Sequence, residues 1–199
     1  MNPLIFKYSM INKKIFENLK KDYYYFNQSR REVIGRSSDA LHKSKISIFT
    51  MHRGQLKEAG VILKEVEKAL ASLEPVFKKS QGLRYEGSYK AALEEYVEAK
   101  MLYKIISDKQ LSLIKEVKVD FDSYLAGLCD TTGELVRLAI KEATNGNIKE
   151  VENIKEIITD IMGELVEFNL TSYLRTKYDQ AKGNLRKIEQ MVYEIKLRH

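Results

Sequence analysis

The sequence predicts an all-α fold, a single bundle of six or seven helices that begins with an unusually long one. The 199 residues contain only two prolines, Pro3 and Pro75, so few positions carry the residue that locks φ and removes a backbone donor. Apolar residues recur in steps of three and four without strand-like alternation, which is the period of helices buried on one face. This length suits one hydrophobic core, and residues 1–199 are expected to form one domain.

The first helix is predicted to run from about residue 11 to residue 53. This stretch contains no proline and only one glycine, Gly35, and its apolar residues follow one another at helical steps or sums of them. They are Ile15, Leu19, Tyr23, Phe26, Val33, Leu41 and Ile48. The apolar stripe thins around Arg30, Arg31 and Ser37. A helix of this length is expected to project beyond its own domain.

Three shorter helices are expected next. Apolar positions between residues 63 and 77 predict the second helix, which Pro75 bends or ends because proline disfavours the helical conformation of the residue before it. After a turn around Gly82 and Gly87, the third helix begins near Ser88 and carries AALEEYVEAKMLYKII. A short polar segment and a small helix at residues 111–117 follow.

The remaining three helices have clear limits or clear apolar seams. The fifth runs from Phe121 to roughly Ala143 and stops at Asn145-Gly146-Asn147, because glycine and asparagine favour the left-handed conformation that ends helices. The last two show apolar residues in alternating three- and four-residue steps. Their seams are Val151, Ile154, Ile158, Ile161, Leu165 and Phe168, then Tyr178, Ala181, Leu185, Ile188, Val192 and Ile195.

Net charge and cysteine content indicate the class of partner and the cellular compartment. The formal net charge of +6 favours an acidic partner such as nucleic acid, although a modest positive charge also serves solubility. Cys129 is the only cysteine, so no internal disulfide can form, and a reducing compartment, the cytoplasm, is expected. Neither a secretory leader nor a run of ~18 apolar residues is recognisable. A soluble protein that is not bound to membranes is therefore expected.

Two glutamates of the third helix interrupt its apolar face. At ~100° per residue, Glu95 falls near the centre of the arc that holds Ala92, Ala99 and Leu102, and Glu98 lies inside the same arc. A buried carboxylate must be neutralised, paired with a cation, bound to a metal or open to water. The two side chains share one side of the helix, close enough to hold one cation. Pairing with Arg or Lys of a neighbouring helix is the alternative.

The fifth helix carries a second acidic pair, Asp130 and Glu134, four residues apart within AGLCDTTGELVR. Their side of the helix is opposite the apolar stripe, so periodicity favours a solvated pair. Small residues surround them, including Gly127 and Gly133, and glycine inside a helix costs ~1 kcal/mol relative to alanine. Such residues allow another helix or a substrate to come close.

Carboxylates in this number are suited to Mg²⁺ or Mn²⁺, which prefer oxygen ligands and can promote phosphodiester hydrolysis. The three histidines, His42, His52 and His199, lie outside both acidic segments, which disfavours a di-iron or zinc site. The residue types do not by themselves select phosphodiester cleavage over other metal chemistry.

Basic residues concentrate on the second half of the first helix. Five of them are candidates for binding nucleic-acid phosphates: Arg30, Arg31, Arg36, Lys45 and Arg53. The aromatic run at residues 23–26 precedes them, and aromatic side chains beside basic ones can stack unpaired bases. Core packing of the aromatics and a solvated basic helix face are an equally good explanation.

Several short motifs occur in a definite order along the chain. They are Glu95-Tyr96-Val97-Glu98-Ala99, DFDSYL at residues 120–125 followed by Gly127, Asp130-x-Thr132-Gly133-Glu134-Leu135, and Asn145-Gly146-Asn147. In this order and spacing they resemble the translin and translin-associated factor X family, and the resemblance extends from about residue 36 to residue 198. The acids resemble those of the factor X branch, since translin lacks this acidic set.

The resemblance implies a translin-like bundle of seven helices that assembles into hollow octamers. It also implies a Mg²⁺-dependent endoribonuclease that cuts single-stranded RNA inside the shell, with single-stranded DNA as a further ligand. Glu95, Glu98 and Asp130 would be catalytic and metal-binding, with Glu134 as an additional metal ligand. Because the chain lacks the basic N-terminal tail of eukaryotic factor X, we expect a homo-oligomer.

Two other functions are compatible with the same residues. One is a non-catalytic oligomeric protein of the translin type that binds single-stranded RNA or DNA and whose acids are structural. The other is a helical scaffold that binds another protein through its long first helix and has no affinity for nucleic acid. Metal-dependent cleavage would separate the first from a nuclease, and salt-dependent RNA binding would exclude the second.

Overall fold

The computed structural model describes residues 12–108 and 111–198, and these residues contain helices and loops but no strand. Six helices are long and one is short. They are α1 (Lys13–His52), α2 (Leu56–Ala71), α3 (Glu74–Lys79), α4 (Gly87–Asp108), α5 (Phe121–Thr144), α6 (Ile148–Val166) and α7 (Ser172–Arg198). A 3₁₀ turn at Gln81–Tyr85 precedes α4. The all-α prediction is confirmed, and the seventh helix is the six-residue α3. No described helix is long and apolar enough to cross a membrane.

The boundaries follow from local chemistry. Asn12 caps α1 by accepting a hydrogen bond from the Lys14 amide, and the 40-residue length confirms the long first helix. Pro75 lies in the first turn of α3, where its missing N–H costs little, so the α2 segment is interrupted just before it, as predicted. Gly146 has φ +80° after α5, the conformation expected of the stop signal there.

The prediction of a small helix at residues 111–117 was wrong, because this stretch is non-helical. The reason is that the two helices on either side of this stretch, α4 and α5, run in the same direction. Lys90 near the start of α4 pairs with Asp120 at the start of α5, so the chain must return along the whole length of α4 before α5 begins. An extended chain covers ~3.3 Å per residue and a helix only ~1.5 Å. Ile114 and Val117 are buried and anchor the connection, and Lys104 binds Ser112.

Four of the helices run in the same direction. Arg30 of α1 contacts Glu86 before α4, and His52 at the other end of α1 contacts Glu134 late in α5. Contacts of α7 with α5 also progress in parallel, since Lys177 pairs with Asp130 and Asn184 bonds Thr132. The starts of the domain part of α1 and of α4, α5 and α7 therefore lie at one end of the bundle. We call this the entry end. α2 and α6 run in the opposite direction, as their tight turns after α1 and α5 require.

One glycine sets the distance between the two acid-bearing helices. A Cβ atom at Gly127 would lie 2.5 Å from the Glu94 carbonyl oxygen and 2.6 Å from Val97 Cβ, so α4 and α5 touch backbone to backbone at this point. The prediction that the small residues of the fifth helix allow close helix approach is confirmed at this position. Any larger residue would force the helices apart and separate the carboxylates that they carry.

Candidate functional site

The two acidic pairs predicted from the sequence lie on adjacent parallel helices, enclosed by α1 on one side and α7 on the other. Glu95 and Glu98 belong to α4, and Asp130 and Glu134 belong to α5. All four carboxylates are partly buried. Asp130 and Glu134 are not on a solvated face, because α7 and the C-terminal end of α1 pack against the side of α5 that periodicity indicated to be polar.

Glu95 is paired with a lysine of the first helix. Lys45 Nζ lies 3.0 Å from Glu95 Oε2, and the Glu95 side chain is only 15% exposed. Lys45 was predicted to contact nucleic-acid phosphates, and the structure places its ammonium group at the acidic cluster instead. The positive charge also reaches the second acid of the helix, since Lys45 lowers the pKa of Glu98.

Glu98 is the central acid of the cluster. Burial, followed by the negative charges of Glu95, Asp130 and Glu134, raises the pKa of Glu98 to about 8. Its carboxylate forms no hydrogen bond or ion pair with any residue that the structure describes. The group is therefore largely protonated at neutral pH unless a cation reaches it.

Asp130 is held by a lysine of the last helix. Lys177 Nζ lies 2.5 Å from Asp130 Oδ2 and 3.9 Å from a Glu94 oxygen. Burial alone would lower the pKa of Lys177, but Asp130 and Tyr173 outweigh burial and raise it. Tyr173 donates a hydrogen bond of 2.6 Å to Glu94, whose pKa is raised chiefly by burial. These side chains form a polar network beside the acidic cluster.

Glu134 binds two cationic or hydrogen-bonding partners. His52 Nε2 lies 2.5 Å and Arg137 Nη1 3.5 Å from the same Glu134 oxygen. Burial would raise the pKa of Glu134, but the hydrogen bond and charge of His52, together with Arg137, lower it. The His52 side chain is only 9% exposed, and Lys141 donates a hydrogen bond to its backbone carbonyl. Glu134 is thus held as an ionised carboxylate.

Glu95, Asp130 and Glu134 are close enough to Glu98 for their charges to raise its pKa. The four carboxylates do not, however, point at one centre. Among residues 12–108 and 111–198, no three His, Cys, Asp or Glu side chains are gathered into a group that could hold a metal ion. Glu95, Asp130 and Glu134 each pair with a lysine or arginine side chain. The donor chemistry fits Mg²⁺ or Mn²⁺, which take carboxylate oxygens, and Glu98 lacks the cation that its neighbours have.

Sequence reasoning missed His52, Glu94, Tyr173 and Lys177. His52 is 82 residues from Glu134 in the chain and Lys177 is 47 residues from Asp130, so no local pattern joins them. Parallel packing of α1, α5 and α7 brings them together. His52 lies outside both acidic segments of the sequence, so its position in the chain does not connect it with them.

The five predicted phosphate-binding residues do not form one stripe. At ~100° per residue they are distributed around α1. Arg30 bonds Glu86 through two nitrogens, and Arg36 bonds Ser72 and Glu32. Only Arg31 and Arg53 are exposed with no side-chain partner among the described residues.

These features define a class: an all-α bundle in which two adjacent parallel helices each carry a pair of partly buried carboxylates. Within that class, the chain belongs to the translin family, because the family model described as "Translin family" matches residues 28–199. Translin of Gallus gallus is 25% identical over 199 residues, covering 86% of this chain and 87% of that protein. The translin-associated protein X homolog of Schizosaccharomyces pombe is 24% identical over 201 residues, covering 89% and 86%.

Solved structures give the same result. The structure described as apo-NeC3PO has a TM-score of 0.83 and 27% identity, covering 94% of this chain and 98% of that one. An AfC3PO complex with duplex RNA has a TM-score of 0.85 and 25% identity, covering 92% and 97%. The translin-like fold predicted from the sequence is confirmed.

Proposed function

We propose that this chain is a divalent-metal-dependent endoribonuclease that cuts single-stranded RNA as a homo-oligomer. The observation that carries the proposal is Glu98, a partly buried carboxylate that lies among three other acids and has no cationic partner of its own. Identity to translin and to the factor X homolog is nearly equal, so the acids, rather than overall similarity, favour the catalytic branch.

Glu95, Glu98 and Asp130, with Glu134 beside them, are the residues that would hold Mg²⁺ or Mn²⁺. Such an ion, when bound, supplies Lewis-acid stabilisation of phosphate charge and a more acidic water. Without it, Lys45 and Lys177 compensate Glu95 and Asp130, and Glu98 retains its proton. The side chain of Lys45 is 53% exposed and is free to turn away from the cluster.

The surrounding residues have supporting roles in this proposal. His52 and Arg137 fix the orientation of Glu134 and keep it ionised. Lys45 and Lys177, once displaced from the carboxylates, would offer positive charge to the phosphates on either side of the scissile bond. Tyr173 donates a hydrogen bond to Glu94 and so fixes the orientation of that carboxylate beside Lys177.

RNA binding and assembly are part of the proposal. A related protein, AfC3PO, was solved with duplex RNA, and the net charge of +6 favours a polyanion. Exposed Arg31 and Arg53 are the residues of the first helix most available to phosphates. Single-stranded DNA is a further ligand, an octamer is the expected assembly, and the free Cys129 suits a reducing cytoplasm.

A second candidate is a non-catalytic RNA-binding oligomer of the translin type. The observation in its favour is that three of the four acids already pair with a lysine or arginine, as acids in structural ion pairs do. In that case Glu98 would remain protonated, and no metal would be needed.

Cleavage of an end-labelled single-stranded RNA with Mg²⁺ or with EDTA separates the two. The variants are Glu98→Gln, which removes the central carboxylate at constant shape, and Glu164→Gln as an exposed control on α6. We expect the wild type and the control to cut only with Mg²⁺, and Glu98→Gln to lose at least about 100-fold in rate, the order of losing a group that stabilises the transition state. RNA binding without cutting in every sample would establish the second candidate.

A further inference from the structure

The first helix projects from the bundle at the entry end. Every residue from 12 to 26 is exposed, and Ser29 is the first buried residue of α1. At ~1.5 Å per residue, residues 13–26 extend about 20 Å beyond the bundle. We call this part of α1 the overhang.

The overhang is apolar on one side. Its exposed large hydrophobic residues are Ile15, Phe16, Leu19, Tyr23, Tyr24, Tyr25 and Phe26. Four of them, Ile15, Leu19, Tyr23 and Phe26, follow one another at steps of four, four and three residues, so they form a single seam along the helix.

This seam is continuous with the side of α1 that the bundle buries. Val33, Ser37, Ala40 and Ser44 continue it at steps of four, three and four residues, and they are fully buried. The lysines of the overhang lie away from the seam, at positions 13, 14, 20 and 21. The overhang thus presents to solvent the same face that packs on other helices further along.

A second unpartnered apolar surface lies at the same end of the molecule. A cleft of about 780 Å³ opens between the start of α5 and the turn from α6 to α7. Its apolar lining consists of Phe121, Leu125, Phe168, Leu170, Tyr173 and Leu174. Phe121 is 71% exposed and Phe168 51%, so this entry-end cleft is open to solvent.

We propose that the overhang of one copy packs into the entry-end cleft of a second copy, and that the second overhang does the same in return. Both surfaces lie at the entry end, so two copies related by a two-fold axis and meeting at this end bring each overhang over the other cleft. Such an arrangement is closed and uses one patch twice. The inference names the contact between copies in the homo-oligomer of the proposed function and rests on that assembly.

The exposed area is of the size that this contact requires. Aromatic side chains expose roughly 150–250 Å² each when free, and the two aromatics of the seam, Tyr23 and Phe26, are about half exposed. In a two-fold arrangement each copy contributes this seam, with Ile15 and Leu19, together with the lining of its own cleft, which brings the area of each partner toward the ~800 Å² of a standard interface. A cleft of this volume accommodates more than one such ring.

The pattern favours a protein partner over RNA. Base stacking uses aromatic faces with cationic side chains next to them, whereas here the lysines are on other sides of the helix from the seam. Helix-to-helix packing uses apolar residues at three- and four-residue steps, which is what the seam has. A membrane surface, which an amphipathic helix with lysines on its polar side can also bind, is distinguished by experiment.

The first test is the mass of the full chain in solution by light scattering. Leu19→Glu changes the seam, Phe168→Glu changes the cleft, and Tyr24→Glu is the control, since Tyr24 is an exposed residue of the overhang that lies off the seam. We expect each of the first two variants to reduce the mass at least two-fold and the control to keep the wild-type mass, all three with unchanged helicity by circular dichroism. Unchanged mass in Leu19→Glu or in Phe168→Glu would overturn the inference.

Disulfide cross-linking tests the contact between overhang and cleft without charged substitutions that could destabilise the fold. Cys129 is buried, so new surface cysteines can be oxidised selectively. A chain with both Leu19→Cys and Phe168→Cys is expected to form covalent dimers, and chains with either change alone are not. Covalent dimers of Leu19→Cys alone would show that two overhangs pair with each other, which contradicts docking in the cleft.

Failure of the inference and failure of the proposed function are separable. A monomeric wild type that cuts RNA with Mg²⁺ would overturn the docking inference and leave the nuclease standing. A monomeric wild type that binds anionic phospholipid vesicles, with binding lost in Leu19→Glu, would assign the overhang to membranes and overturn it as well. An oligomer that dissociates in both variants but never cuts RNA would support docking and reject the nuclease.

Discussion

Glu98 on α4 and Glu134 on α5 lie in the same cluster and are both partly buried, yet their pKa values shift in opposite directions. The pKa of Glu98 rises to about 8 because burial and three neighbouring acids oppose its charge. The pKa of Glu134 falls because His52 and Arg137 outweigh the effect of its burial. The difference shows that the side chains around each carboxylate, together with its burial, decide which acid stays charged. Glu134 has partners within the chain, whereas Glu98 has no hydrogen bond or ion pair with any described residue.

The largest expected difference between Glu134 and Glu98 is in the effect of their removal on the free energy of unfolding. Glu134→Ala removes the partner of the nearly buried His52, and breaking a buried pair strands the remaining group. We expect the free energy of unfolding to fall by about 2–3 kcal/mol, below the ~3–5 kcal/mol of fully buried pairs because Glu134 is partly exposed. Denaturant unfolding at neutral pH measures it. Glu98→Ala, which strands no cation, is the matched comparison, and an equal loss in both variants would contradict the difference between the two acids.

Divalent metal is expected to act on the site through Glu98. A ligand that binds only the folded state stabilises it by about 2.7 kcal/mol at 100 times its dissociation constant. Mg²⁺ or Mn²⁺ should therefore raise the melting temperature of the wild type at pH 8, reversibly on adding EDTA. Glu98→Gln should lose most of this rise. A rise of equal size in the variant would mean that the ion binds elsewhere.

The helices that position this site were largely predictable, because six long segments repeat apolar residues at helical steps. The inward position of Glu95 and Glu98 was also visible, since both interrupt an apolar arc. Asp130 and Glu134 were not, because periodicity describes one buried face per helix and α5 packs against α4 on one side and against α7 and the end of α1 on others. Lys177 and His52 reach these acids only through that parallel packing.

An effect of intermediate size is expected in the pH dependence of folding stability, to which Glu98 contributes through its raised pKa. In the folded state Glu98 keeps its proton up to about pH 8, whereas the unfolded chain releases it near the ordinary value of 4.5. The folded state binds more protons between these values, so stability falls as the pH rises through this window. Without metal, we expect this fall to exceed that of Glu98→Gln by about 1–2 kcal/mol, less than ~1.4 kcal/mol per pKa unit implies because solvent reaches part of the site. If the stability of the wild type and of Glu98→Gln fell in parallel as the pH rises, Glu98 would not be the group responsible.

The smallest effect concerns Lys45, whose positive charge lowers the pKa of Glu98. Lys45 lowers the pKa of Glu98 while pairing with Glu95, so Lys45→Met should move the titration of Glu98 to higher pH. The stability change should stay below about 1 kcal/mol, because the ammonium group is half exposed. Carboxyl chemical shifts followed through a pH titration by NMR measure the pKa directly. Lys43→Met removes a comparable α1 pair, with Glu65, and should leave Glu98 unchanged. If both variants shifted Glu98 equally, the general charge of the chain, rather than Lys45 beside the cluster, would set its pKa.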